Sequence, residues 1–237
     1  MTATLYLIPS FLSETSGKII PEQTQQIAAR LKLFFAENPK QARKFLKRIV
    51  PAIRLEELQI IGLDKHQRYP DGQVYLKLLE QGEDAGLITD CGCPAVADPG
   101  SELVAAAHKK GIVVRPLVGP SSILLALMAS GFNGQHFAFH GYLPVKKNSL
   151  RKALKQLESE SQKKNQTQIF IETPYRNLTL LETMSATLRP HTRLCIACEL
   201  TGSEESIKVL RIQELKQVDC RYTHKKPCVF LIDASGQ

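Results

Sequence analysis

The stretch from Gly86 to Gly131 constrains the fold more than any other. It opens with a short apolar run, Gly86-Leu87-Ile88-Thr89, and continues into two Gly/Pro-rich acidic loops, Asp90-Cys91-Gly92-Cys93-Pro94 and Ala97-Asp98-Pro99-Gly100. A helical pattern then runs from Ser101 to Gly111. A second apolar run follows at Ile112-Val113-Val114, and a third loop, Gly119-Pro120-Ser121-Ser122, opens an apolar helix. Strand, loop, helix and strand in this order make a βαβ unit, which belongs in a parallel sheet. Ligands of such sheets sit beyond the carboxyl ends of the strands. Glycine there lets the backbone approach a ligand, and proline holds the loop shape. The same residue types also make plain tight turns, and pattern alone leaves both uses open.

The rest of the chain divides around this unit. Leu5-Tyr6-Leu7-Ile8 reads as a buried strand ended by Pro9-Ser10. A helix is expected from Pro21 through Phe35, with Ile27, Leu31 and Phe34 inward, then a short strand at Phe35-Ala36-Glu37. Leu58 to Gly62 reads as a strand, Pro70-Asp71-Gly72 as a turn, and Val74 to Gln81 as a helix with Val74, Leu78 and Leu79 inward. Arg115-Pro116 marks a domain boundary, because the residue before proline is driven out of helix; the two domains are therefore expected at 1–117 and 118–237. In the second, helices are expected at Ser121 to Ser130, Leu150 to Glu160 (capped by Asn148-Ser149) and Arg176 to Leu188. Strands are expected at Phe137 to His140, Gln168 to Ile171, Leu194 to Cys198, Ser206 to Leu210 and Cys228 to Asp233. The polar stretch from Glu158 to Gln166 reads as a loop. The first half is thus a mostly parallel α/β domain and the second a mixed-sheet α+β domain.

Charge adds a partner class. The 237 residues carry a formal net charge of +8, which points to an anionic partner, nucleic acid first. The sharpest local feature is Pro39 to Ile49. Lys40, Arg43, Lys44, Lys47 and Arg48 repeat at helical spacing, while Ala42, Phe45, Leu46 and Ile49 repeat on the other side. One helix would carry a core stripe and a wholly basic stripe, suited either to a phosphate chain or to plain solvation. A second basic run, Lys146, Lys147, Arg151, Lys152 and Lys155, follows Gly141-Tyr142-Leu143-Pro144.

Several classes fall away. No apolar run approaches the ~18 residues of a membrane span, and the N-terminus lacks the basic start of a signal peptide. A cytoplasmic protein without membrane attachment is expected. The six cysteines read as thiols of a reducing compartment. Cys195 and Cys198 have zinc-like spacing but fall on an expected strand, where residues three apart point to opposite faces, so no metal site is expected.

The motifs, in order, carry a resemblance. D-x-G-x-P-x-x-x-D-P-G, an apolar strand and G-P-S-S are followed by Gly141-Tyr142-Leu143-Pro144, Glu172-Thr173-Pro174-Tyr175-Arg176 and Glu199-Leu200-Thr201; Ala36-Glu37-Asn38 stands earlier. Together these resemble the tetrapyrrole methylase superfamily, and within it the ribosomal RNA small-subunit methyltransferase I group. The resemblance implies a two-domain fold with a cleft between the domains and S-adenosylmethionine bound there as methyl donor. It implies donor contacts from Pro9, Asp90, Cys91, Gly92, Cys93, Pro94, Val96, Ala97, Asp98, Ser121 and Ser122, and, from the second half, Tyr142, Glu172, Thr173 and Leu200. A homodimer is implied as well. The acceptor is then a ribose 2′-hydroxyl of ribosomal RNA or the small ribosomal subunit, held by Lys40, Arg43, Lys44, Lys47, Arg48, Lys146, Lys147 and Arg151. Glu37, Asp90, Glu172, Glu199 and His140 are of a type to act as base; none is singled out.

Three departures from the family pattern stand out. The loop P-x-G-N reads Pro9-Ser10-Phe11-Leu12, without its glycine, so a bulkier side chain must be housed near the donor. R-E-L-T-K reads Cys198-Glu199-Leu200-Thr201-Gly202, without either basic residue. The C-terminal extension usual among the RNA enzymes is not expected after Gln237. Two other readings therefore stay open: a methylase of a tetrapyrrole-like polycarboxylate, and a non-catalytic RNA-binding module on the same fold.

Overall fold

The computed structural model describes residues 3–63 and 73–235. Pro70-Asp71-Gly72 lies outside them. The chain forms two units, Met1–Ser121 and Ser122–Gln237.

The first unit alternates strands and helices: β1 (Thr4–Ile8), α1 (Glu22–Arg30), β2 (Leu33–Ala36), α2 (Pro39–Ile49), β3 (Gln59–Gly62), α3 (Gln73–Glu80), β4 (Ala85–Ile88), α4 (Ser101–Lys109) and β5 (Val113–Pro116). Its sheet has the order β3-β2-β4-β1-β5, and every pairing is parallel. From β1 to β3 the chain steps one way across the sheet; from β3 to β5 it steps back. Right-handed crossovers then require the first two helices on one face and the next two on the other. The packing agrees. Ile8, Phe34, Ala36 and Ile88 bury against Ala28 of α1 and Phe45, Leu46 and Ile49 of α2. Leu5, Leu33, Phe35 and Leu87 bury against Leu76 and Leu79 of α3 and Leu103 and Ala107 of α4. Adjacent strands β1 and β4 therefore send their following segments to opposite faces, which opens a crevice at their carboxyl ends.

Three expectations shift here. The first helix ends at Arg30, and Leu33 to Ala36 become a strand whose residues are all buried; pairing with β3 and β4 on both edges outweighs the helical spacing of Phe34. In α3, Leu79 is inward as expected and Leu78 partly buried, joined by Tyr75 and Leu76, with the Tyr75 ring edge-on to Phe35 at 5.2 Å; the side chain of Val74 lies outside the described residues. Arg115 and Pro116 pair with Tyr6 and Leu7 inside β5, so they do not end the unit. Leu117 N–H donates to Leu7 (2.9 Å) and Thr24 Oγ1 to Val118 O (2.9 Å), which ties the chain to this unit past the expected boundary, and the unit closes at Ser121.

The second unit contains α5 (Ser122–Ser130), β6 (Phe137–Tyr142), α6 (Lys147–Lys164), β7 (Thr167–Ile171), α7 (Asn177–Ser185), β8 (Arg193–Cys198), β9 (Ser206–Arg211) and β10 (Cys228–Asp233). Its sheet has the order β6-β7-β10-β8-β9, with β6 and β7 parallel and the other pairs antiparallel. Leu150, Leu154 and Leu157 of α6 and Leu180, Leu181 and Met184 of α7 share a core with Phe170, Ile196 and Phe230. Strand alternation puts Cys198 in that core and Cys195 on the other face. Among the described residues no helix is long and apolar enough to cross a membrane.

The expected loop at 158–166 is instead the last two turns of α6, which ends where Asn165 turns left-handed (φ 49°). Long-range partners hold these turns. The buried Glu158 carboxylate accepts from Arg189 N–H (2.8 Å) and Thr192 Oγ1 and pairs with Arg189 Nε (3.2 Å); Ser161 Oγ accepts from Ala234 N–H (2.9 Å). Glu158→Leu removes the acceptor of Arg189 N–H and Thr192 Oγ1 and the partner of the Arg189 guanidinium, and is expected to cost about 2–3 kcal/mol, read as a lower denaturant midpoint at unchanged slope.

Candidate functional site

The loops at the carboxyl edge of the first sheet are stitched to one another. Ser10 N–H donates to Gly92 O (2.9 Å), Glu37 N–H to Ile88 O (3.1 Å) and Asp90 N–H to Glu37 Oε2 (3.2 Å). The Cys91 thiol turns to Leu12 O (3.7 Å) and the Cys93 thiol to Pro120 O (3.4 Å). Pro9 packs directly on Gly119: a Cβ built on that glycine would lie 2.4 Å from Pro9 Cβ. The ends of β1, β2, β4 and β5 thus bring Pro9, Asp90 to Pro94 and Ser121 to one edge. Gly92 turns the loop at φ +74°, and Ala95 and Ala97 sit at φ 65° and 63°. Alanine in that region costs ~1 kcal/mol per residue, strain that recurs at ligand-binding loops. Val96 and Ala97 are exposed, Asp98 half-buried and Pro94 buried.

This edge is electronegative. The Cys91 thiol is pushed up to about 11, first by burial and then by the carboxylates of Asp98, Asp90 and Glu37. Burial also raises Cys93, partly offset by a hydrogen bond with Ser121. A donor carrying a cationic sulfonium and an ammonium fits such an edge, and glycine-rich backbone supplies amides and carbonyls to its polar ends. The raised thiol has a direct consequence. At pH 8, Cys91 should react with iodoacetamide about 100-fold more slowly than a thiol of ordinary acidity, and mass-resolved labelling against pH should show its rate rising toward pH 11.

Helix α2 stands beside this edge. Asn38 caps it, accepting from Lys40 N–H (3.0 Å) and Gln41 N–H (3.4 Å), and Ala42, Phe45, Leu46 and Ile49 are buried as the spacing predicts. The basic stripe divides. Lys40, Arg43 and Lys44 face outward. Lys47 Nζ donates to Ile53 O (3.1 Å). Arg48 donates to the carbonyls of Glu14 and Ser16 and lies over the Phe11 ring, 4.0 Å from its centroid. Arg48 is therefore a fastening for the β1–α1 loop, because its long side chain reaches carbonyls that point at it. Phe11, standing where the family pattern has glycine, turns toward α2 and meets Phe45 edge-on at 5.4 Å. Between this loop, α2 and the end of β4 lies a cavity of about 400 Å³, lined by Ser10, Phe11, Gln41, Lys44, Phe45 and Thr89 among others.

In the second unit, β6 and β7 run parallel, with Tyr142 opposite Ile171, so their following loops emerge side by side. Tyr142 is exposed and Thr173 beside it in sequence to Glu172 is too. Glu172 is buried. Its Oε1 accepts from Thr173 N–H (2.7 Å) and Oγ1 (3.3 Å), and its Oε2 faces Arg176 at 3.2 Å. Glu172 thus shapes the turn that presents Thr173. Leu200 is buried between Glu199 and Thr201, both at positive φ (53° and 67°), with Thr201 N–H held by Glu205 (2.7 Å). His140 is engaged by Gln168 at 2.7 Å. Lys146, Lys147 and Arg151 are exposed at the start of α6. Spacing did not single out Tyr175, which is 74% exposed with Lys225 Nζ 6.0 Å from its ring centroid; an aromatic inside the Pro174-Tyr175-Arg176 turn was the available signal.

Comparison with known proteins gives the family and the fold. The profile of the Tetrapyrrole (Corrin/Porphyrin) Methylases matches residues 23–216. The ribosomal RNA small subunit methyltransferase I of Escherichia coli O157:H7 is 30% identical over 211 residues, covering 89% of this chain and 70% of that protein. The protein of the same name from Pseudomonas aeruginosa is 34% identical over 159 residues, covering 67% of this chain but only 55% of its own length. Among solved structures, the methyltransferase CobJ superposes with a TM-score of 0.63 at 18% identity over 98% of this chain and 93% of its own. Uroporphyrin-III-C-methyltransferase from Thermus thermophilus gives 0.58 at 15% over 99% and 93%.

Proposed function

The chain belongs to the tetrapyrrole (corrin/porphyrin) methylase family, and from that premise we propose that it transfers the methyl group of S-adenosylmethionine to a ribose 2′-hydroxyl of small-subunit ribosomal RNA. Proteins named ribosomal RNA small subunit methyltransferase I match at 30–34% identity, which favours an RNA acceptor. The observation that carries the acceptor is the outward row of Lys40, Arg43 and Lys44 on the helix flanking the acidic loop edge. A phosphate chain binds such a row; a cationic donor binds the edge beside it.

The donor supplies an electrophilic methyl group on sulfur. The residues that hold it are Pro9, Asp90, Cys91, Gly92, Cys93, Pro94, Val96, Ala97, Asp98 and Ser121 from the first unit. Ser122, Tyr142, Thr173 and Leu200 contribute from the second, and Glu172 acts through Thr173. Strained and cross-bonded loops fix the first unit's groups before the donor arrives, so that orientation rather than acid–base chemistry supplies most of the acceleration. Lys146, Lys147 and Arg151 extend the RNA contact. The protein works where ribosomal subunits are made, in the cytoplasm. It works as a homodimer, for which helix α5, apolar between its terminal serines and with Leu124 and Met128 exposed one turn apart, offers a face.

The test is transfer of labelled methyl groups from S-adenosylmethionine, with undermodified small ribosomal subunits and a polycarboxylate tetrapyrrole as parallel acceptors. Label in ribosomal RNA alone is expected. Label in the tetrapyrrole alone would establish the small-molecule reading, and no label with no donor binding the non-catalytic one.

A further inference from the structure

The cavity between the β1–α1 loop and α2 has a chemistry of its own. It shares only Asp90 and Cys91 with the donor-binding loop. We propose that it is the acceptor-nucleotide pocket, taking the base and ribose of one unstacked RNA residue while Lys44 holds an adjoining phosphate. The proposal rests on the RNA reading above and gives it a location.

Three observations support it. The volume, about 400 Å³, lies in the range of small-molecule pockets and suits a single nucleoside. Its walls include Phe11 and Phe45, in edge contact at 5.4 Å, with the Arg48 guanidinium over Phe11; RNA-binding proteins hold splayed-out bases on aromatic rings and guanidinium planes. Two of its lining residues carry buried hydroxyls: Ser10 and Thr89 are 3% and 2% exposed, and among the described residues neither Ser10 Oγ nor Thr89 Oγ1 finds a hydrogen-bond partner. Buried hydroxyls are nearly always paired; these two lie just beneath one cavity wall, at the ends of adjacent strands β1 and β4, and would be completed by a ligand edge that draws them toward it. Lys44, exposed on α2, supplies the cation. A pocket of this size admits one residue, so a nucleotide held there must leave its stack, even though the methyl group goes to its ribose and not its base. Phe11 in place of the family's glycine is what builds the aromatic wall.

The chain has no tryptophan, so Gln41→Trp puts a single indole at the cavity. Its fluorescence is titrated with each of the four ribonucleoside 5′-monophosphates, with inorganic phosphate, and with S-adenosylmethionine. Saturable quenching by at least one nucleotide is expected, weakened about tenfold by Lys44→Glu and also by Phe11→Ala, and unaffected by saturating donor. No quenching by any nucleotide, equal effects from phosphate alone, or displacement of the nucleotide by the donor would each overturn the pocket. The two readings separate cleanly. A protein that methylates ribosomal RNA with a KM indifferent to Lys44→Glu and Phe11→Ala keeps its function and loses this pocket. Nucleotide binding in a protein that methylates no RNA keeps the pocket and loses the ribosomal reading.

Discussion

The double variant Lys40→Glu, Lys44→Glu should bind small-subunit ribosomal RNA about 100-fold more weakly than the wild type at physiological salt, with donor affinity and melting temperature unchanged. Both side chains are exposed, and neither has an ion-pair partner among the described residues. Each lysine that neutralises a phosphate releases a counterion, and reversing it adds repulsion on top. The slope of log affinity against log salt should flatten by about 1.4 for a single-stranded contact, at ~0.7 per phosphate lost. Arg48→Glu is the instructive contrast. Arg48 is bound to the Glu14 and Ser16 carbonyls and stacked on Phe11, so its loss should lower stability along with RNA affinity. Filter binding across a salt series, with a melting curve for each variant, separates the two behaviours.

The second large effect is expected at Gly119. A Cβ there would sit 2.4 Å from Pro9 Cβ and 2.7 Å from Pro9 Cγ. Both atoms belong to a ring whose dihedral is fixed, so neither can swing aside. Gly119→Ala must push the β5 loop away from the β1 loop, at a cost of about 2–3 kcal/mol by the scale of overpacked sites. The displaced segment carries Pro120, whose carbonyl receives the Cys93 thiol, and Ser121. Donor affinity should therefore fall at least tenfold even at temperatures where the protein stays folded. Gly17→Ala is the control, since nothing lies within 4 Å of its added methyl group; it should be neutral in both calorimetric donor binding and thermal melting.

Much of this was readable from residues because it depends on local grammar. The βαβ pattern from Gly86 onward set the parallel sheet, and its glycine and proline loops do gather at the carboxyl edge. The stripe of Ala42, Phe45, Leu46 and Ile49 set α2 and its outward cations. What stayed hidden depends on partners far along the chain. Four consecutive apolar residues, Leu33 to Ala36, carry no periodicity, and only pairing on both edges makes them a strand. Arg48 lies on the basic stripe by spacing, yet its guanidinium is taken by carbonyls 32 and 34 residues earlier. The polar run after Glu158 reads as loop until Arg189, Thr192 and Ala234 supply its hydrogen bonds. Phe11 was legible as an intrusion into the family's glycine loop; that it packs on α2 and walls a cavity follows from the positions of Phe45 and Arg48.

The most direct test of the central claim is the chemical position of the transferred methyl. Wild-type protein and the Lys40→Glu, Lys44→Glu variant would be incubated with methyl-labelled S-adenosylmethionine and undermodified small ribosomal subunits, and the RNA digested to nucleosides for chromatography and mass spectrometry. The account predicts label in one 2′-O-methylnucleoside from small-subunit RNA, strongly reduced with the variant. Label in a base-methylated nucleoside, or equal label from both proteins, would contradict it.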